Sequence, residues 1–321
     1  MHASTRIWSK YLIVDLAGLA MLAAAALAMS ARTESPNRTT PGMCTAGSFQ
    51  QLARCQELVG AAKCQIISVE ATVQCDEMTS LQPMRRAAGC LDVHQGSHVS
   101  ARVLWITGAD SAAGTGRLYR ANYSSPLVAI NQNRGDVAIA SLTLEDAPWP
   151  SCFPRLAPSY ATQAMVNVHG AAGVTFRNVT FLRGFKIAVS LVQSQRIVFS
   201  DNLWLESNTF GVWADPDQLA AYSRDVHFFG NRFLRGQNNA FIGTLSRSIF
   251  QGNDFVHNHH IACFNQSGGQ LDLLQSAGPN QALTLAANRV VDGSITGGDG
   301  GQDWRRLSTY LFRHIAFSFL R

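Results

Sequence analysis

The sequence predicts an all-β solenoid, a parallel β-helix preceded by one short helix. Three observations point there: an apolar unit recurring around asparagine, strand-like runs with little helix between them, and a single amphipathic stretch near the N-terminus. Four segments align on their asparagine: RIVFSDNLW at Asn202, DVHFFGNRF at Asn231, RSIFQGNDF at Asn253 and ALTLAANRV at Asn288. Each puts an apolar residue three places before the Asn and another two places after it, as in Phe199/Trp204 and Phe228/Phe233. GVTFRNVTF at Asn178 is a near relative, shorter by one residue before its Asn. GDVAIASLTL matches it with Ser141 in the Asn place, and GSHVSARVLWI reads as a worn copy further back. From Asn178 to Asn288 the asparagines advance by 24, 29, 22 and 35 residues. That irregularity suits short coils carrying loops of variable length.

A second apolar strand follows the Asn in several copies, as KIAVSL, GVWAD, AFIGTL and HIACF. Two or three short strands per coil, stacked in register, hide apolar faces that no single coil could shield from water. Asn suits the turns because it tolerates left-handed backbone and bonds locally. In stacked turns its amide can also bond the Asn of the next coil, making a ladder. Asn178, Asn202, Asn231, Asn253 and Asn288 are therefore expected to be structural. Residues 48–59 (SFQQLARCQELV) place Phe49, Leu52, Cys55, Leu58 and Val59 on one helical face, and CQIISVEATVQC then reads as strand.

The flanking segments complete the division. Arg6 and Lys10 precede an apolar run ending in small residues near Ala26–Ala28, which describes a signal peptide over 1–31. The rival reading is a retained anchor, which Asp15 opposes. A polar linker with Pro36 and Pro41 follows over 32–43, then a capping-helix region over 44–63, the β-helix over 64–300, and an apolar, basic C-terminal cap or tail over 301–321. The seven cysteines fit an oxidising compartment, and no C-x-x-C pair points to zinc or redox chemistry. Disulfides are expected near the N-terminus, with at least one cysteine left unpaired within the chain.

At 46% hydrophobic and 15% charged, the chain has core material and is no disordered polymer. The net charge of +5 is spread without a Lys/Arg run, which argues against a nucleic-acid partner and suits an anionic polysaccharide. Membrane contact is expected only through an uncleaved N-terminal segment.

The units GVTFRNVTF and VHFFGNRF, with the helix before the first strand, resemble the right-handed parallel β-helix proteins of the pectin-lyase-like superfamily. The resemblance covers roughly residues 64–293. It implies a single-stranded right-handed parallel β-helix whose N-terminal helix is a cap. That superfamily holds polysaccharide lyases, glycoside hydrolases, uronate epimerases, phage tailspikes and adhesins, so it narrows the ligand class without fixing the chemistry. It implies a secreted or cell-surface protein acting on an acidic polysaccharide, with a non-catalytic adhesive β-helix that binds glycans or partner proteins as the alternative.

In β-helix enzymes the substrate lies along one sheet and reactive groups project outward from it. If Ile187, Val189, Val212, Ala214, Phe241, Gly243, Ile261 and Cys263 point inward, alternation sends Lys186, Ser190, Trp213, Asp215, Thr244, His260 and Phe264 outward. Uronate chemistry needs a base at C5, a cation beside the carboxylate and an acid. The catalytic candidates are Asp215, His260 and Lys186; the substrate-binding candidates are Trp213 as a stacking surface, Arg183 and Asp217. WADPDQ is similar to the Asp-Pro-His stretch of mannuronan epimerases but carries Asp217 in the His place. The two aspartates could instead serve glycoside hydrolysis, or simply form a turn. Polygalacturonase-type Asn-Thr-Asp and Gly-His-Gly motifs are absent.

The run His257, Asn258, His259, His260 has only Asp254 near it in sequence and reads as polar loop rather than metal site. No cofactor is assigned: ITGGDGGQD has Gln302 where a calcium-binding nonapeptide needs Asp, so Ca2+ finds no specific motif. N-x-S/T sequons stand at Asn37, Asn122, Asn178 and Asn265.

Overall fold

The computed structural model describes residues 42–61, 63–75, 89–94, 104–108, 116–121, 125–133, 135–148, 164–185, 187–207, 210–214, 222–236, 239–243, 245–257, 269–272, 284–291, 293–296 and 317–318. These form a right-handed parallel β-helix of three sheets. Each coil adds one strand to each sheet, and every pairing between successive coils is parallel. Sheet I runs into the Asn turn and includes Ala172–Arg177, Gln195–Ser200 and Ser223–Phe229. Sheet II leaves that turn, with Thr180–Leu182, Leu203–Leu205 and Arg232–Gly236. Sheet III closes the coil, with Ala164–His169, Ile187–Val192 and Phe210–Ala214.

The helix Phe49–Gly60 starts where the pattern predicts, because the Ser48 hydroxyl accepts from the Gln51 amide. Leu52, Cys55 and Val59 are its buried face. A strand over Met43–Ala46, in a stretch read as linker and cap, pairs with Ile66–Val69 and extends sheet I. The predicted run CQIISVEATVQC is broken at Glu70 and Ala71 into Ile66–Val69 and Thr72–Gln74, because the chain turns there from sheet I to sheet II. Disulfides Cys44–Cys64 and Cys75–Cys90 pin this end, and Cys55 is a buried free thiol. At the other end, Phe317–Ser318 pairs antiparallel with Thr284 and Leu285.

Four asparagines form the expected ladder. Asn202, Asn231, Asn253 and Asn288 are buried. The Oδ1 of each accepts from a backbone N–H one coil back: Val179 to Asn202 at 2.8 Å, Asn202 to Asn231 at 3.0 Å, Asn231 to Asn253 at 2.9 Å and Asn253 to Asn288 at 3.0 Å. Each Nδ2 donates to a sheet I carbonyl of the preceding coil, such as Phe199 from Asn231 at 3.0 Å. In the first three, the second Nδ2 hydrogen reaches the next Oδ1. Both Nδ2 hydrogens of Asn202, Asn231 and Asn253 are thereby used, as burial demands.

Asn178 is not in the ladder. Val179 holds that position in its coil, while Asn178 sits exposed one residue earlier at φ +51° and donates to the Ser141 hydroxyl. It belongs to a column of left-handed residues, Ser141, Asn178, Asp201, Gly230, Gly252 and Ala287, that turns every coil out of sheet I. Asn is favoured at both places, which is why the two columns look alike in sequence.

A second ladder stands at the corner entering sheet I. The Ser194 hydroxyl accepts from the Ala171 amide and Ser223 from the Ser194 amide, at 3.3 and 3.1 Å; Ser248 accepts from the Val226 amide at 3.1 Å. Between the corners, aromatic rings stack along the core. Phe176, Phe199, Phe228 and Phe250 form one column with centroids 4.4–4.9 Å apart; Phe181, Trp204, Phe233 and Phe255 form another at 4.3–4.8 Å. The rung spacing of the sheets, about 4.8 Å, is what sets this ring spacing.

Candidate functional site

The outward face of sheet III was expected to carry the chemistry; the residues expected inward are buried, but Ser190, expected outward, is 0% exposed as well, because Ile187–Val192 is buried along its whole length. Ile187, Val189, Val212, Ala214 and Phe241 are buried in the core, with Gly243 at φ +134° packed against the Ala214 carbonyl side. Strand register then lines up one outward column: Asp92, Ala129, Asn167, Ser190, Trp213 and Ile242 occupy successive rungs. Two of its polar atoms, the Asn167 Oδ1 and the Ser190 Oγ, are buried and have no hydrogen-bond partner among the described residues. A buried polar atom without a partner costs about 1–3 kcal/mol, and the Ser190 hydroxyl, on a residue 0% exposed, is out of reach of solvent. Trp213 follows on the next rung, half-buried.

Asn167 was missed in the sequence. Its signal was there, as the polar residue in the middle of the apolar strand AMVNVH, in the same role that Ser190 plays in IAVSLV.

The corner from sheet II to sheet III is built by buried charge. Arg120 and Asp146, 1% and 0% exposed, form a two-pronged pair at 2.5 and 3.0 Å. Arg120 also donates to the carbonyls of Ser125 and Ala164, and Asp146 accepts the Phe185 amide at 2.8 Å. Glu145 is bridged by Arg117 at 2.8 Å and by Arg183. Buried pairs hold only when the remaining donors and acceptors are also satisfied, which the carbonyl and amide contacts supply for Arg120 and Asp146, while the buried Arg117 Nε has no partner among the described residues. The sequence offers no local signal for this device, since its partners lie 26 residues apart.

Arg183, a substrate-binding candidate, stands at this corner at φ +58°, bound to Glu145 and to the Asp146 carbonyl at 3.1 Å. Trp213 lies on the predicted face. Lys186, Asp215, Asp217 and His260 lie outside the described residues, as do Thr244 and Phe264. The structure therefore brings Trp213 together with Ser190 and Asn167, and fixes the Phe185 amide one residue before Lys186. Of the histidine run, only the backbone of His257 is described, at the end of Asp254–His257. Among the described residues no three His, Cys, Asp or Glu side chains gather as a metal site, and no helix is long and apolar enough to cross a membrane.

Titration is perturbed elsewhere. Burial pulls the His227 imidazole, outward on sheet I, below its usual range, against an opposing pull from Asp225. A hydrogen bond from Arg289 holds the Asp254 carboxyl below the usual carboxylate range. Burial pushes the Cys55 thiol up.

No family model matches the chain, and no curated protein matches it. Solved structures that align with it include a pectate lyase from Bacillus sp. N165 in complex with trigalacturonate, at 10% identity over 84% of this chain and 88% of that one, TM-score 0.41. A surface adhesin of Streptococcus pneumoniae aligns at 10% identity over 72% and 69%, TM-score 0.36. A pectate lyase from Xanthomonas campestris aligns at 12% identity over 86% and 88%, TM-score 0.30. At these values the likenesses carry no argument about chemistry, and the parallel solenoid stands on its strand register.

Proposed function

We propose that this is a secreted or cell-surface β-helix protein that holds an acidic polysaccharide along the outward face of sheet III. The observation that carries the reading is the adjacency of Asn167, Ser190 and Trp213 on three successive rungs. The half-buried Asn167 offers an amide to sugar hydroxyls, and the half-buried indole offers a flat apolar surface for a pyranose ring. The chain's net positive charge favours an anionic polymer at long range.

In the catalytic form of this reading, Asp215, His260 and Lys186 act on a uronate ring held by Trp213, Arg183 and Asp217. The Asp146–Phe185 bond favours it, because it fixes the amide of the residue that precedes Lys186 in sequence. In the adhesive form the face only binds. Purified protein is tested against alginate, pectate and hyaluronan-type polymers by retention, by absorbance of unsaturated products and by reducing ends. Retention on acidic polymers that falls about tenfold in Trp213→Ala supports the reading. Product formation selects the catalytic form, and retention without product the adhesive one. No retention on any acidic polymer overturns it.

A further inference from the structure

We infer that sheet I carries a second saccharide-binding face, directed at acidic sugars and separate from sheet III. Register places Trp105, Ala138, Thr175, Val198 and His227 on successive rungs of its outward side. Trp105 is 47% exposed, an unusual state for an indole on a solenoid wall. The next three rungs carry small or β-branched side chains, and on the fourth stands His227, its ring edge-on to Phe229 at 5.6 Å, after which the row runs on to Ile249 and Thr284. The two rings, with smaller residues between them, bound a shallow trough. Its ends are four rungs apart, about 19 Å at the usual strand spacing. That is room for several pyranose rings laid along the solenoid axis.

Charge selects the class of ligand. Arg177, beside Thr175 on the trough floor, is exposed and has no ion-pair partner among the described residues. The edge of the sheet adds Arg196, Arg224 and Arg247, against Asp136 and Asp225. Of these, Arg247 is paired to Asp225, Arg224 is bonded to the neutral Gln195 and keeps its charge, and Arg196, like Arg177, is exposed with no ion pair among the described residues. A flat aromatic plate next to an uncompensated guanidinium fits a polymer that repeats both a ring and a carboxylate. A neutral glycan would use the plate alone.

The test is calorimetric titration of the full chain with a short oligogalacturonate, using a neutral cello-oligosaccharide of equal length as control. Trp105→Ala should weaken binding about tenfold. Arg177→Gln should weaken it about fivefold and flatten its salt dependence. Both side chains point outward, so unchanged melting curves confirm that the variants fold. Trp213→Ala should leave this component in place, so failure of the sheet III reading is seen separately. Equal titrations for wild type, Trp105→Ala and Arg177→Gln overturn the inference, as does preference for the neutral sugar or absence of binding.

Discussion

Replacing Asn231 by alanine deletes four hydrogen bonds at once. Its Oδ1 accepts from the Asn202 amide and the Asn202 Nδ2, and its Nδ2 donates to the Phe199 carbonyl and the Asn253 Oδ1. The Asn202 Nδ2 keeps the Phe176 carbonyl, and the Asn253 Oδ1 keeps the Asn231 amide. The Asn202 amide keeps nothing from this contact, and it lies in a turn with no exposure to recruit water. At about 1 kcal/mol net per bond, with an orphaned amide in place of one of them, the loss comes to roughly 3–5 kcal/mol. For a chain of this size that corresponds to a melting midpoint lower by roughly 5–7 °C. Urea unfolding followed by circular dichroism measures it. Asn178→Gly is the matched control, since φ +51° suits glycine and only the exposed bond to Ser141 goes; its cost should stay within about 0.5 kcal/mol. If Asn231→Ala costs under about 1 kcal/mol, or the two variants cost the same, the ladder does not hold the turn and the argument fails.

Three further outcomes follow from the same contacts. Asp146→Ala, which strands the buried Arg120 and the Phe185 amide, should cost about 3–5 kcal/mol in urea unfolding, whereas a cost near zero would mean the corner is open to water. The folded His227 is harder to protonate than the unfolded one, so its contribution is complete above pH 6.5, falls as the pH drops from there through the folded value, and is flat below it; His227→Gln should remove that slope from a stability–pH curve. Cys55 should resist alkylation in the folded protein and react once it is unfolded; rapid labelling under native conditions would contradict its burial.

The sequence carried the architecture because burial repeats. Phe199, Phe228 and Phe250, and the Asn three places after each, meet the same surroundings on every coil, so the same residue types recur. The serine ladder obeys the same logic but stayed hidden, because Ser is common and the loops entering that corner vary in length. Asn178 was placed one column away from its position, since left-handed turn and ladder sit on adjacent residues and both accept Asn. The Arg120–Asp146 pair could not be read at all: 26 residues separate partners that only stacking brings together. Outward positions such as Asn167 and Trp213 obey no packing period, so a sequence pattern locates their face and leaves their chemistry to register.

The most direct test of the stacked-coil account uses spin labels on two outward positions of sheet I, Ala138 and Thr284. Register sets them five rungs apart, through Thr175, Val198, His227 and Ile249. Electron paramagnetic resonance should give a single distance near 24 Å, five times the roughly 4.8 Å rung spacing, broadened by the labels' own reach. A mean beyond about 40 Å, or several unrelated distances, is incompatible with five rungs at that spacing and would remove the ladders and both saccharide faces with them.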